Sequence, residues 1–195
     1  MDVYFVDDPN LNAGGQEAHL NKYINGFHMH AAVPWHTVED IYISMNIKEK
    51  QHWVLAVLSL SERCIFLYDS YESSGHYTVV LAEIKKLDEI IPLCLQACNF
   101  YENKGIDLHK HPRYKDKDPS DLFEVIFKDN LPQQRSGSLD CGLYMITYAE
   151  CLSYGQRVPP IKFNPNSLRT RYAALLWSME CENKKQMLIV TSKHP

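Results

Sequence analysis

Between Trp53 and Tyr68 lie two apolar, β-rich runs, WVLAVLSL over Trp53 to Leu60 and CIFLY over Cys64 to Tyr68, parted by Ser61-Glu62-Arg63. Two such runs around a short polar break predict a β-hairpin. Neither run alternates apolar with polar residues, so both faces must be covered, which puts the hairpin at the centre of a sheet. The rest of the chain has to supply neighbours and layers for it. Upstream, Ile41, Ile43 and Met45 alternate with polar or small partners and read as a further strand, joined to the hairpin through polar Lys48-Glu49-Lys50-Gln51.

Downstream, Val80, Leu81, Ile84, Leu87, Ile90, Ile91 and Leu95 recur at helical spacing and predict a helix from Thr78 to Phe100. Pro92 falls inside that pattern and is expected to kink or divide it. Glu102 to Asp121 is polar, carries Gly105, Pro112 and Pro119, and reads as an exposed loop. Leu122 to Phe127 reads as a strand, Leu131 to Leu139 as a loop, and Cys141 to Leu152 as a helix. A last helix is expected from Leu168 to Met179, capped by Asn166 or Ser167. Before residue 41 the signals are weak beyond a turn at Asn12-Ala13-Gly14-Gly15. The fold class is therefore α+β, a central and mainly antiparallel sheet flanked by helices, in a single domain over residues 1–195.

Composition narrows the function classes. A formal net charge of -4 over 195 residues provides no concentrated positive face for nucleic acid. No apolar run approaches the ~18–20 residues of a membrane span, and an N-terminus with Asp2, Asp7 and Asp8 has no signal-peptide character. The chain is expected to act in the cell, in nucleus or cytoplasm, as a monomer. Its six cysteines, Cys64, Cys94, Cys98, Cys141, Cys151 and Cys181, include no C-x-x-C pair and are expected to be free thiols. A metal site at Cys94, Cys98, His109 and His111 lacks the spacing of a zinc knuckle. Neither a metal nor a cofactor is expected.

A cysteine nucleophile needs a base, a group to orient the base, and a donor for the oxyanion. Asp140-Cys141-Gly142 opens an apolar helix, where the helix N-terminus favours a thiolate and Asp140 can cap. Gly142 leaves room for substrate backbone beside the sulfur. His52-Trp53 stands at the mouth of the hairpin's first strand, where a histidine can be partly exposed on rigid backbone. Asp69 ends the partner strand, so the hairpin turns it back towards His52, where a carboxylate can accept the imidazole N–H. Gln133-Gln134 lies on the loop that enters the Cys141 helix and offers amide donors. Taken singly, each of these more often has a structural role: a buried cysteine, a surface histidine, an aspartate in a turn.

In combination they resemble the ubiquitin-like-protein-specific protease family, whose best-known members are the SUMO (sentrin) proteases. The pattern is Asn46, His52-Trp53 and an apolar strand, then Asp69-Ser70 seventeen residues after the histidine, and Pro132-Gln133-Gln134 leading to Asp140-Cys141-Gly142. The likeness runs from Ile41 to Tyr154 and points to a divergent member of plant or transposon-associated type. It implies a papain-like fold and hydrolysis after the C-terminal Gly-Gly of a ubiquitin-like modifier, SUMO before others. It further implies Cys141 as nucleophile, His52 as general base, Asp69 as its orienter, and Gln134 rather than Gln133 as oxyanion donor. Trp53 would cover the channel for the Gly-Gly tail beside Gly142. The implied partners are a SUMO-like protein and its conjugates. The family's N-terminal Trp-Leu-x-Asp has no match, and Trp35 does not stand in its place, so a domain shortened at its N-terminus is expected. A fold that binds a ubiquitin-like protein without turnover is the alternative from another class.

Overall fold

A computed structural model describes residues 20–26, 33–73 and 75–191; the turn expected at Asn12 to Gly15 lies outside them. The chain divides into two compact units, Met1–Pro160 and Ile161–Pro195.

The first unit is built on one four-stranded sheet in the order β1-β2-β3-β4, with β1 Asp40–Ile47, β2 His52–Ser59, β3 Cys64–Tyr68 and β4 Glu124–Phe127. The first three strands are antiparallel, with Ile47 opposite His52 and Ser59 opposite Cys64. β4 lies parallel to β3, which makes the sheet mixed. As expected, β2 is central, and all its residues except Trp53 are buried. A parallel pair needs a long crossover, and here that crossover carries two helices, α1 His76–Ala97 and α2 Phe100–Lys104. A third helix, α3 Cys141–Ser153, packs on β2. The class is α+β, as the hydrophobic patterning implies.

α1 runs unbroken through Pro92 instead of dividing there. Proline deprives the Asp88 carbonyl of its helical donor, but α1 gains more from burying Val80, Ile84, Ile91 and Leu95 on the core. The chain breaks later, at Asn99, which adopts a left-handed conformation (φ 51°) between α1 and α2.

The segment from Glu102 to Asp121 is largely exposed and irregular beyond the end of α2, as its polarity suggests, but it is tied to the sheet at one point. Tyr114 is buried within it, and its hydroxyl donates to the Leu60 carbonyl at 2.7 Å. Arg63, in the hairpin turn, is itself buried and donates to the carbonyls of Leu122, Asp118 and Asp121. Its guanidinium also lies over the rings of Tyr114 and Phe123. Carbonyl dipoles and aromatic faces thus compensate a cation taken out of water. The polar sequence hides this because the tie is made by one arginine more than fifty residues away. Tyr114→Phe is expected to lower unfolding free energy by about 1–2 kcal/mol, because it strips the Leu60 carbonyl of its donor and leaves the ring in place. Urea denaturation of the variant checks it; an unchanged midpoint would mean that this bond does not hold the segment.

In the second unit, α4 Pro165–Thr191 starts earlier than expected. The cap is Asn164, whose side-chain oxygen accepts from the N–H groups of Asn166 and Ser167. Pro165 follows it at the first helical position, where its missing N–H costs nothing. Among the described residues no helix is long and apolar enough to cross a membrane.

Candidate active site

β1 and β2 are joined by a single turn of 3-10 helix, Lys48–Lys50, and by Gln51 in a left-handed conformation. This short link makes His52 the first residue of β2, its backbone fixed opposite fully buried Ile47. Because α3 packs on β2, its N-terminal Cys141 arrives beside His52 and Trp53. A Cβ on Gly142 would lie 3.9 Å from Trp53 Cδ1, so the indole edge borders the glycine next to the sulfur. Asp69 directly follows β3, and the hairpin brings it back to His52.

The contacts form a line. His52 Nε2 lies 2.7 Å from Asp69 Oδ1, and the ring is also hydrogen-bonded to the Cys141 thiol. With Nε2 on the carboxylate, Nδ1 is left for the sulfur. Asp69 Oδ1 accepts a second bond from the Tyr71 N–H at 3.0 Å. Its Oδ2 meets the Nε2 of another histidine, His76, at 2.8 Å. His52 is 4% exposed, so the partial exposure expected at a strand edge is not found; rings of Tyr71 and His76 pack against it.

Burial is the largest influence on His52 and by itself would disfavour the imidazolium. The hydrogen bonds to Asp69 and Cys141, with the charges of both, outweigh it and lift the group from 6.5 to about 9. Burial likewise pushes the Cys141 thiol up. It is overcome by the bond to His52, the backbone N–H groups of Trp53 and Gly142, and the His52 charge, so the thiol ionises below its ordinary 9.0. Both shifts favour a thiolate–imidazolium pair. Cys64 shows the opposite case: burial, then the charges of Glu62 and Glu124, push it up to about 11. The described cysteines Cys64, Cys94, Cys98, Cys141 and Cys151 are all free thiols.

The two glutamines have different surroundings. Gln133 is committed to the scaffold: Oε1 accepts from the Glu72 N–H, and Nε2 donates to the carbonyls of Asp69 and Leu131. Gln134 is anchored through its backbone N–H to the Ser70 carbonyl at 2.8 Å, while its buried side-chain oxygen has no partner. The Tyr148 hydroxyl on α3 donates to the Pro132 carbonyl. Together these bonds tie the loop before Cys141 to the end of β3. Asp140 occupies the N-cap position in helical backbone and makes no side-chain capping bond, unlike the cap expected of it. Asn46 is exposed on β1 opposite Trp53, outside the line of contacts.

Among the described residues, the group of side chains close enough to share a metal is His52, Asp69 and His76. Cys94, Cys98, His109 and His111 form no such group. In the His52–Asp69–His76 cluster the nitrogens sit directly on the carboxylate at 2.7 and 2.8 Å, which is hydrogen-bond spacing that the ring protons already satisfy. His76 had escaped the sequence reading. Its one signal is a histidine at the start of the helix that follows the Asp69 turn.

A cysteine at the head of a helix packed on a sheet, facing a sheet histidine held by an aspartate, is the papain-like arrangement. The family model described as the Ulp1 protease family, C-terminal catalytic domain, matches residues 4–179, and the chain belongs to that family. Over 172 residues it is 26% identical to sentrin-specific protease 2 of Homo sapiens and 25% identical to that of Mus musculus. In each case the match covers 88% of this chain and 24% of the relative, so the chain spans about a quarter of those proteins' length. Similar solved structures include the C-terminal Ulp1 protease domain in complex with Smt3, the yeast ortholog of SUMO (19% identity, TM-score 0.46, 73% of this chain and 52% of that one). Another is the SUMO protease Ulp1 with its catalytic cysteine oxidized to a sulfonic acid (18%, TM-score 0.45, 78% and 56%).

Proposed function

We propose that this chain is a thiol peptidase that hydrolyses the bond after the C-terminal Gly-Gly of a ubiquitin-like modifier, a SUMO-like protein before others. The observation that carries the reading is the buried line Cys141–His52–Asp69, in which the thiol is lowered and the imidazole raised. The Cys141 thiolate attacks the glycine carbonyl, and the carbonyl electrons move to oxygen. Gln133 is held to the scaffold through both ends of its amide, which leaves Gln134 as the residue of the pair to donate its Nε2–H to that oxyanion. The imidazolium of His52 then gives its proton to the leaving amine as the C–N bond breaks. His52, now neutral, takes a proton from water as the oxygen attacks the thioester carbonyl. The C–S bond then breaks, releasing the acid and returning the Cys141 thiolate beside the imidazolium. Asp69 keeps Nε2 protonated and supports the charge on the ring throughout. The belonging of the chain to the Ulp1 protease family and its likeness to sentrin-specific proteases support the modifier as substrate. Such a substrate places the protein inside the cell, in nucleus or cytoplasm.

Trp53 beside Gly142 explains why glycine would be required. A passage bordered by an indole has little volume for a Cβ, and overpacking costs about 1–3 kcal/mol, or roughly tenfold to a few hundredfold in kcat/KM. The test is a panel of electrophilic probes carrying the tail of SUMO or of ubiquitin, each with a Gly→Ala counterpart. Labelling of Cys141 by one intact probe and not by its alanine form is the expected result. Equal labelling of both forms would remove the narrow passage. No labelling, with Cys141 still reactive to a small alkylator, would leave a binding module without turnover.

A further inference from the structure

The mechanism above uses one histidine on Asp69, and the structure has two. His76 opens α1, directly after Gly75. Its side chain is 3% exposed, and its Nε2 lies 2.8 Å from Asp69 Oδ2, the oxygen that His52 does not use. Its ring stands edge-on to His52, with centroids 4.9 Å apart, and edge-on to Tyr71 at 5.3 Å. Its backbone is held as well, the His76 N–H donating to the Ser73 carbonyl at 3.1 Å.

A carboxylate attached through one methylene can swivel about χ2, and only one setting directs an oxygen along the His52 N–H. Bonds to Oδ1 alone leave that rotation resisted from one side. A donor on Oδ2 fixes the plane from the other side, and it satisfies an oxygen that is shut off from water and costly to leave bare. A buried histidine placed only for packing has no reason to point its N–H at the carboxylate that orients the base. We infer that His76 is a positioning residue of the active site: it holds Asp69 so that Oδ1 faces His52, and through His52 it sustains the Cys141 thiolate. This rests on the reading of Cys141, His52 and Asp69 given above.

The test compares His76→Leu, His76→Asn and His76→Gln in the full chain, by the rate of Cys141 alkylation with iodoacetamide at pH 7 and by Tm. Gln places its amide N–H where Nε2 of histidine lies, whereas Asn ends near Nδ1 and falls short of Oδ2. With Leu and Asn, alkylation is expected to slow by about tenfold, the low end of what removing an outer-shell partner costs at metal-ligating side chains, and Gln should restore most of it. Alkylation independent of the residue at 76, with only Tm changed, would reduce His76 to packing and overturn the inference, as would Gln no faster than Asn. Should the Leu variant not fold, the Gln–Asn pair, alike in polarity and differing in reach, decides. Failure of the underlying reading looks different: wild-type Cys141 would then react no faster than an ordinary thiol.

Discussion

Cys141→Ala is expected to leave a folded protein with no measurable hydrolysis, a loss on the order of 10⁶ in kcat, as when a covalent nucleophile is removed elsewhere. The fold should survive, because alanine suits the first turn of a helix and the change removes one sulfur atom at its end. No other described thiol combines the features found there. Cys64 is buried beside Glu62 and Glu124, which oppose its ionisation, and Cys94 belongs to the apolar core. Cys98 is engaged with Asn21 and Asn25. Hydrolysis of a Gly-Gly-tailed substrate, with circular dichroism as the control for folding, checks this. A Cys64→Ala or Cys151→Ala protein that is equally inactive and still folded would show that the nucleophile has been misassigned.

The second large effect belongs to Asp69. Asp69→Asn is expected to cut kcat/KM by about 10⁴, the cost of the same change in a serine-protease triad. An amide has one accepting oxygen, but two histidines face this position, at 2.7 and 2.8 Å. If the oxygen serves His52, the NH₂ confronts His76; if it serves His76, His52 takes the wrong tautomer. The pH profile should change too. His52 in the native site is raised to about 9, so the imidazolium persists up to that pH and activity falls as it loses its proton above it. Without the carboxylate charge the imidazolium is less stable, so the alkaline limb should move down from pH 9. A variant that kept the alkaline limb at 9 would show that Asp69 does not support the ring. Asn46→Ala, at an exposed position away from the line of contacts, should leave both rate and profile close to wild type.

How much of this was legible beforehand follows from the range of the interactions. The hairpin was readable because WVLAVLSL and CIFLY are contiguous, and their apolar runs have no other use than the centre of a sheet. The Cys141 helix was readable for the same reason, and so was the approach of Asp69 to His52, since a hairpin's register follows from its turn. Gln133 and Gln134 could not be told apart by sequence. Their identical side chains differ only in which one meets the 69–72 turn, and Gln133 is the one that clamps it. The loop from Glu102 to Asp121 was legible from its polarity, but its tie to the sheet through Arg63 and Tyr114 was not, because these are single residues whose partners are distant in sequence.

Local pattern marked most of the elements and the α+β class, because periodicity and turn chemistry act over a few residues and leave a mark in consecutive letters. The triplet Cys141, His52 and Asp69 came from the order of motifs that resembles the protease family, each residue alone being too common to carry a role. Tertiary structure decided that β4 joins β3 in parallel, that α1 passes through Pro92, and that His76 closes the second oxygen of Asp69. Each of these is a choice among partners brought together by the crossover. It is settled by which apolar face finds the core, as for α1, or by which donor finds which acceptor, as for β4 and His76, and neither matching has a period along the chain.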